Sequence, residues 1–140
     1  MKRLITIALV VIGVTGVLWV AKAWTFKRGD EKVTKFNQDC DNLILGLQQY
    51  KEFVGTYPTG QNVDIAKALL GQSQKKILIL AVRRSDLNDK GEIMDPWGVP
   101  LQFYFSHNEV MIRSAGPNKA WEDSAVNTAD DLYRSTGKNN

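Results

Sequence analysis

A single cysteine and a single histidine are the first constraints on this chain of 140 residues. With Cys40 alone, no intramolecular disulfide can form, so the fold must be held by packing or by a metal. With His107 as the one imidazole and no second thiol, the nitrogen and sulfur ligands of a zinc site are missing. Charge of one sign is also not concentrated: the net charge is +3, and its 18 basic residues are scattered. Nothing gathers into the basic, aromatic-studded face that nucleic-acid binding requires. Hydrolytic chemistry needs a nucleophile with a positioned base, or carboxylates held apart across a pocket. Neighbouring Asp130-Asp131 and an isolated His107 supply neither, so the expectation is a protein that is not an enzyme.

What the chain does have is order. From Leu4 to Ala21 there is no charged side chain. As a helix this run would be about 27 Å long, close to a hydrocarbon core of about 30 Å. Lys2-Arg3 before it favour a cytoplasmic N-terminus with the remainder exported. Trp19 and Trp24 suit an interfacial aromatic belt and an uncleaved signal anchor, whereas Ala21-Lys22-Ala23 has the form of a signal-peptidase site. Residues 1–24 are therefore expected to be a transmembrane anchor or signal peptide, 25–134 a globular domain and 135–140 a flexible tail.

Beyond Lys27, apolar residues fall at Val33, Phe36, Cys40, Leu43, Ile44, Leu47, Tyr50 and Val54, the stripe of one long amphipathic helix. Gly29-Asp30 either breaks or caps this helix, or a continuous rod runs through them. Cys40 lies on the stripe as a small buried hydrophobe. Gly55 and Tyr57-Pro58 end it. A short helix follows, with Asn62 as its cap and Ile65, Ala66, Leu69 and Leu70 as its apolar side. Ile77 to Val82 reads as a strand by its length, while periodicity alone leaves a helix open.

Asp95-Pro96-Trp97-Gly98 is a tight-turn sequence, in which the aspartate can accept from amides ahead of it and glycine tolerates the exit. Leu101–Phe105 and Val110–Ile112 then form a hairpin with His107 at its tip. From Ser114 to Leu132 an ordered loop is expected. Asn118, Asp123, Asp130 and Asp131 offer it the hard oxygens that calcium takes, although their spacing is not that of an EF-hand.

Taken in order, these parts resemble the major pseudopilin of type II secretion systems, a type IV pilin-like family. The residues that carry the resemblance are Leu47 to Pro58, Asp95 to Pro100, Ile112 to Asn118 and Thr128 to Leu132. It implies an α+β fold, with an N-terminal apolar helix leading into a long amphipathic helix packed on a small antiparallel sheet and an ordered C-terminal loop. It also implies calcium held by Asn118, Asp130 and Asp131, and neighbouring pseudopilin or secretion-system subunits as partners. The location would be the bacterial inner membrane, spanned once by residues 4–21, with the C-terminal domain facing the periplasm or exterior. No nucleic acid or small-molecule substrate is implied.

Two departures mark a divergent member. Met1 to Ile7 contain neither the glycine cut by prepilin peptidase nor the glutamate that follows it in the family. The family's Gly-x-Asp-Gly is Gly116-Pro117-Asn118-Lys119 here, one negative charge fewer, and weaker calcium binding is the expectation. The expected function is a non-enzymatic, membrane-anchored envelope protein acting by protein contact in a secretion or pilus-like assembly. The alternative is an exported calcium-dependent binding module of pilin-like fold outside any filament.

Overall fold

The structure is a computed structural model and describes residues 29–122 and 130–137. The apolar run 4–21, with its anchor or signal-peptide role, lies outside the described residues. Among the described residues no helix is long and apolar enough to cross a membrane. The chain divides into two compact units, Met1–Thr34 and Lys35–Asn140. Of the first, residues 29–34 are described, and all are helical.

Helix α1 covers residues 29–54, so Gly29 and Asp30 are helical residues and Asp30 is not a cap. Within the second unit its predicted stripe is the buried one: Phe36, Cys40, Leu43, Ile44, Leu47 and Tyr50 are all at most 9% exposed. Side chains three and four apart share a helix face, which is why one stripe can enter one core. Leu47 is fully enclosed, and truncating such a leucine costs about 2–5 kcal/mol. The helix ends at Gly55, whose φ of +93° lets its amide turn back onto the Lys51 carbonyl at 2.7 Å.

Helix α2, Asn62–Leu69, buries Ile65, Ala66, Ala68 and Leu69. Its cap is Gln61, not Asn62, and the Asp64 carboxylate accepts from the Gln61 amide at 3.0 Å. Asn62 is instead spent on a longer reach. Its Nδ2 donates to the carbonyls of Ile93 (2.9 Å) and Leu101 (2.7 Å), and its Oδ1 accepts from the Ile93 amide at 2.6 Å. One side chain thus fastens α2 to the segments on either side of the Asp95 turn.

The predicted strand from Ile77 to Val82 does not form. The segment makes one isolated bridge, Leu78 with Leu70, and then turns at residues 80–81. Ile79 and Val82 are buried while Leu78 and Leu80 are 60% and 90% exposed. Its neighbour explains this. A Cβ on Gly46 of α1 would lie 2.3 Å from the Ala81 Cβ, so the segment runs against a helix, which has no free ladder to pair with it.

The three named strands form one antiparallel sheet in the order β1-β2-β3: β1 is Gln102–Phe105, β2 Val110–Ser114 and β3 Leu132–Ser135. The α+β class expected from the sequence is therefore present, with a long helix and a small antiparallel sheet. Val110, Ile112 and Ser114 of β2 are fully buried on one face of the strand, as its two-residue period demands. The hairpin tip is pinned to α1 by the Lys51 ammonium, which donates to the His107 carbonyl (2.9 Å) and Asn108 Oδ1 (2.7 Å). β3 is an addition to the sequence reading, which had a loop ending at Leu132 and a tail from residue 135. Arg134 on it forms a two-point ion pair with Asp41 of α1 at 2.7 and 2.9 Å. Beyond it, Thr136 still exchanges hydrogen bonds with Val110.

Candidate metal centre

The site begins at the Asp95 turn. Asp95 is 6% exposed, and its Oδ1 accepts from the amides of Trp97 (2.9 Å) and Val99 (2.8 Å), as the turn sequence anticipates. Its Oδ2 accepts from the Ser114 hydroxyl at 2.6 Å, and Ser114 Oγ in turn accepts from the Gly116 amide at 3.0 Å. This buried relay fixes where the chain leaves β2. Gly116 follows with φ of +65°, and a Cβ there would lie 2.2 Å from the Asp130 carbonyl oxygen. Only glycine lets the two ends of the loop come so close.

Glu122, Asp130 and Asp131 meet at this closure, each offering a carboxylate oxygen within 4.8 Å of the other two. Calcium–oxygen distances of about 2.3–2.6 Å give a first shell about 5 Å across, which such a cluster fits. The Asp131 side chain is 1% exposed. Among the described residues, Asp130 Oδ1 and Asp131 Oδ1 are buried without any hydrogen-bond partner. Buried carboxylate oxygens normally have donors, and an oxygen without one is open to a cation or a water.

The other carboxylate oxygens are already engaged. Asp130 Oδ2 accepts from the Asn118 amide at 3.0 Å, and Glu122 Oε2 from the Asp130 amide at 3.0 Å. Asp131 Oδ2 accepts from Arg113, at 2.6 Å from Nε and 2.5 Å from Nη2. Asp130 and Asp131, named from the sequence, thus come together. Asn118 stands at the rim: its Oδ1 accepts from the Ala120 amide at 2.7 Å, and its Nδ2 donates to Glu122 Oε1 at 2.9 Å. Glu122 is the residue that sequence reasoning missed, although its place beside Asp123 in the same acidic stretch was a signal. Asp123 lies outside the described residues.

Two other singled-out residues have plainer surroundings. His107 is exposed at the hairpin tip. Cys40 is fully buried, and burial, with lesser contributions from Asp39 and Asp41, pushes its thiol pKa up to about 12. Such a thiol is inert at neutral pH.

Exposed apolar side chains lie elsewhere. Leu45 is 55% and Leu80 is 90% exposed, and both line a cavity of about 420 Å³ between α1 and residues 79–83. Phe53, two helical turns beyond Leu45, is 70% exposed. No family profile, characterised protein or solved structure matches the chain.

Proposed function

We propose that this chain is a non-enzymatic, membrane-anchored envelope protein of pseudopilin type, whose globular domain binds calcium and works by protein contact in a secretion or pilus-like assembly. The observation that carries the reading is the junction of Glu122, Asp130 and Asp131 at the closure between β2 and β3, with two buried carboxylate oxygens unpartnered. It falls in the loop where the resemblance expects calcium, beside a long helix and a small antiparallel sheet. Glu122 and Asp131, with Asp130, would hold the ion, and Asn118 would order the loop around them. The ion would tie the loop ends together and neutralise converging carboxylates. Leu45 and Leu80 support the protein-contact part, because they expose apolar surface around one shared cavity, and contiguous apolar surface is what a partner covers.

Two experiments test the proposal. Calcium at a hundredfold excess over its Kd should stabilise the chain by about 2.7 kcal/mol relative to chelator. An unchanged melting temperature removes the metal. Fractionation and crosslinking in the native cell should place the protein in the envelope with partner subunits, and a freely soluble cytoplasmic protein without them refutes the assembly role. Ala21-Lys22-Ala23 favours the second reading, an exported calcium-dependent module. N-terminal sequencing separates the two, since a mature start at Trp24 supports export and an intact Met1 or Lys2 supports the anchor.

A further inference from the structure

The candidate metal centre carries its own positive charge. Arg113 is 8% exposed, and its guanidinium sits over the rings of Trp121 (5.2 Å) and Tyr133 (5.5 Å). It grips Asp131 Oδ2 through Nε and Nη2, and Nη2 also donates to the Glu122 carbonyl at 2.8 Å. Asp131 Oδ1 is left buried and unpartnered. One carboxylate therefore faces an arginine with one oxygen and has its other oxygen free for the cluster. A cation held there would lie roughly 6 Å from the guanidinium, the width of a carboxylate plus one metal–oxygen and one hydrogen-bond distance.

We infer that Arg113 sets the charge selectivity of the site, an inference that rests on the metal reading above. Three carboxylates and one guanidinium leave two net negative charges among the described residues, which a divalent ion neutralises. Without the guanidinium three charges remain, the match for a trivalent ion. Arg113 is a positioning residue and a counter-ion here, not a ligand. The charge effect has a signature that packing lacks. A trivalent ion feels the guanidinium's repulsion half as much again as a divalent one. At roughly 6 Å and an effective dielectric of about 40, that extra unit is about tenfold in affinity. Loosening the loop, by contrast, weakens both ions together.

The test measures terbium and calcium affinities of the full chain in detergent. Terbium luminescence sensitised by Trp121 reads the first, and displacement by calcium reads the second. In Arg113→Gln the terbium-to-calcium affinity ratio should rise about tenfold, and in Arg113→Lys, which keeps the charge, it should stay within about twofold of the parent. An unchanged ratio in Arg113→Gln overturns the inference while leaving the metal site standing. Should Arg113→Gln fail to fold, Asn118→Asp adds the missing unit of negative charge at the exposed rim with the arginine in place. A ratio that does not rise there overturns the charge-matching argument equally. A parent chain that binds neither ion overturns the metal reading and this inference together.

Discussion

Two glycines with left-handed backbones offer a controlled test of how the loop closes. Gly98 has φ of +87°, and nothing lies within 4 Å of where its Cβ would be. Gly116 has φ of +65°, and its Cβ would meet the Asp130 carbonyl oxygen at 2.2 Å and the carbonyl carbon at 2.9 Å. Alanine at Gly98 pays only for its conformation, about 1 kcal/mol after the unfolded-chain entropy gain is set against it. Alanine at Gly116 carries the same strain plus an overlap with backbone that no rotamer can relieve. Forcing such overlap into a packed region costs about 1–3 kcal/mol, so Gly116→Ala should lose about 3 kcal/mol. Urea denaturation of the two variants measures both, with the slope m as a check that the unfolded states match. The difference between them isolates the steric part. Equal losses would refute the claim that the loop ends are pressed together. The proposed calcium binding gives a second readout: displacing the Asp130 backbone shifts its carboxylate, so Gly116→Ala should bind calcium more weakly and Gly98→Ala should not.

Three further expectations follow from the geometry. Asn62→Ala strands the Ile93 amide and the Leu101 carbonyl, while the Ile93 carbonyl keeps the Leu101 amide, and should cost about 2–3 kcal/mol in chemical denaturation; a loss under about 0.5 kcal/mol would mean that water replaces the side chain. Cys40 should resist thiol reagents at neutral pH until the chain unfolds. Its folded pKa of about 12 lies above the ordinary 9.0. The folded state therefore keeps a proton that the unfolded state releases above pH 9, and stability falls as pH rises through that window, by at most about 1.4 kcal/mol per unit. Comparison with Cys40→Ala removes the background of lysines and tyrosines, and identical alkaline profiles would contradict the assignment. Arg134→Ala should cost below about 1 kcal/mol, because the Asp41 pair is largely solvated and its effect fades with salt. The pairing holds the Asp41 carboxyl below its ordinary range through the Arg134 hydrogen bond, so whatever it contributes is present at neutral pH and lost as acid protonates Asp41.

What could be read from the sequence was local or periodic. The α1 stripe, the Gly55 stop, the Asp95 turn and the hairpin each depend on residues a few positions apart, so neighbouring residue types were enough. The failures are long-range. Ile77 to Val82 has a strand's composition, yet a strand needs a ladder, and its neighbour is a helix. Asn62 looked like a cap because caps are local, while its true partners lie at Ile93 and Leu101. β3 is a short run with few apolar residues, held by pairing with β2 rather than by propensity. Glu122 entered the candidate site because it lies against Asp130 and Asp131, a closure that the order of acidic residues does not encode.

The end of β2 has a bearing on the fidelity of folding. Consecutive residues of a strand face opposite ways. Ser114 faces Asp95 on one side of the strand, and Arg113 faces Asp131, Trp121 and Tyr133 on the other. Sliding β2 by one position against its neighbours would drive a guanidinium into the core and turn Val110 and Ile112 out to water. A small sheet of short strands has few ways to reject a misaligned pairing, and such slips are the seeds of edge-to-edge aggregation. Two adjacent polar residues with opposite obligations make this slip prohibitive, and β1 and β3 both take their alignment from the strand that carries them.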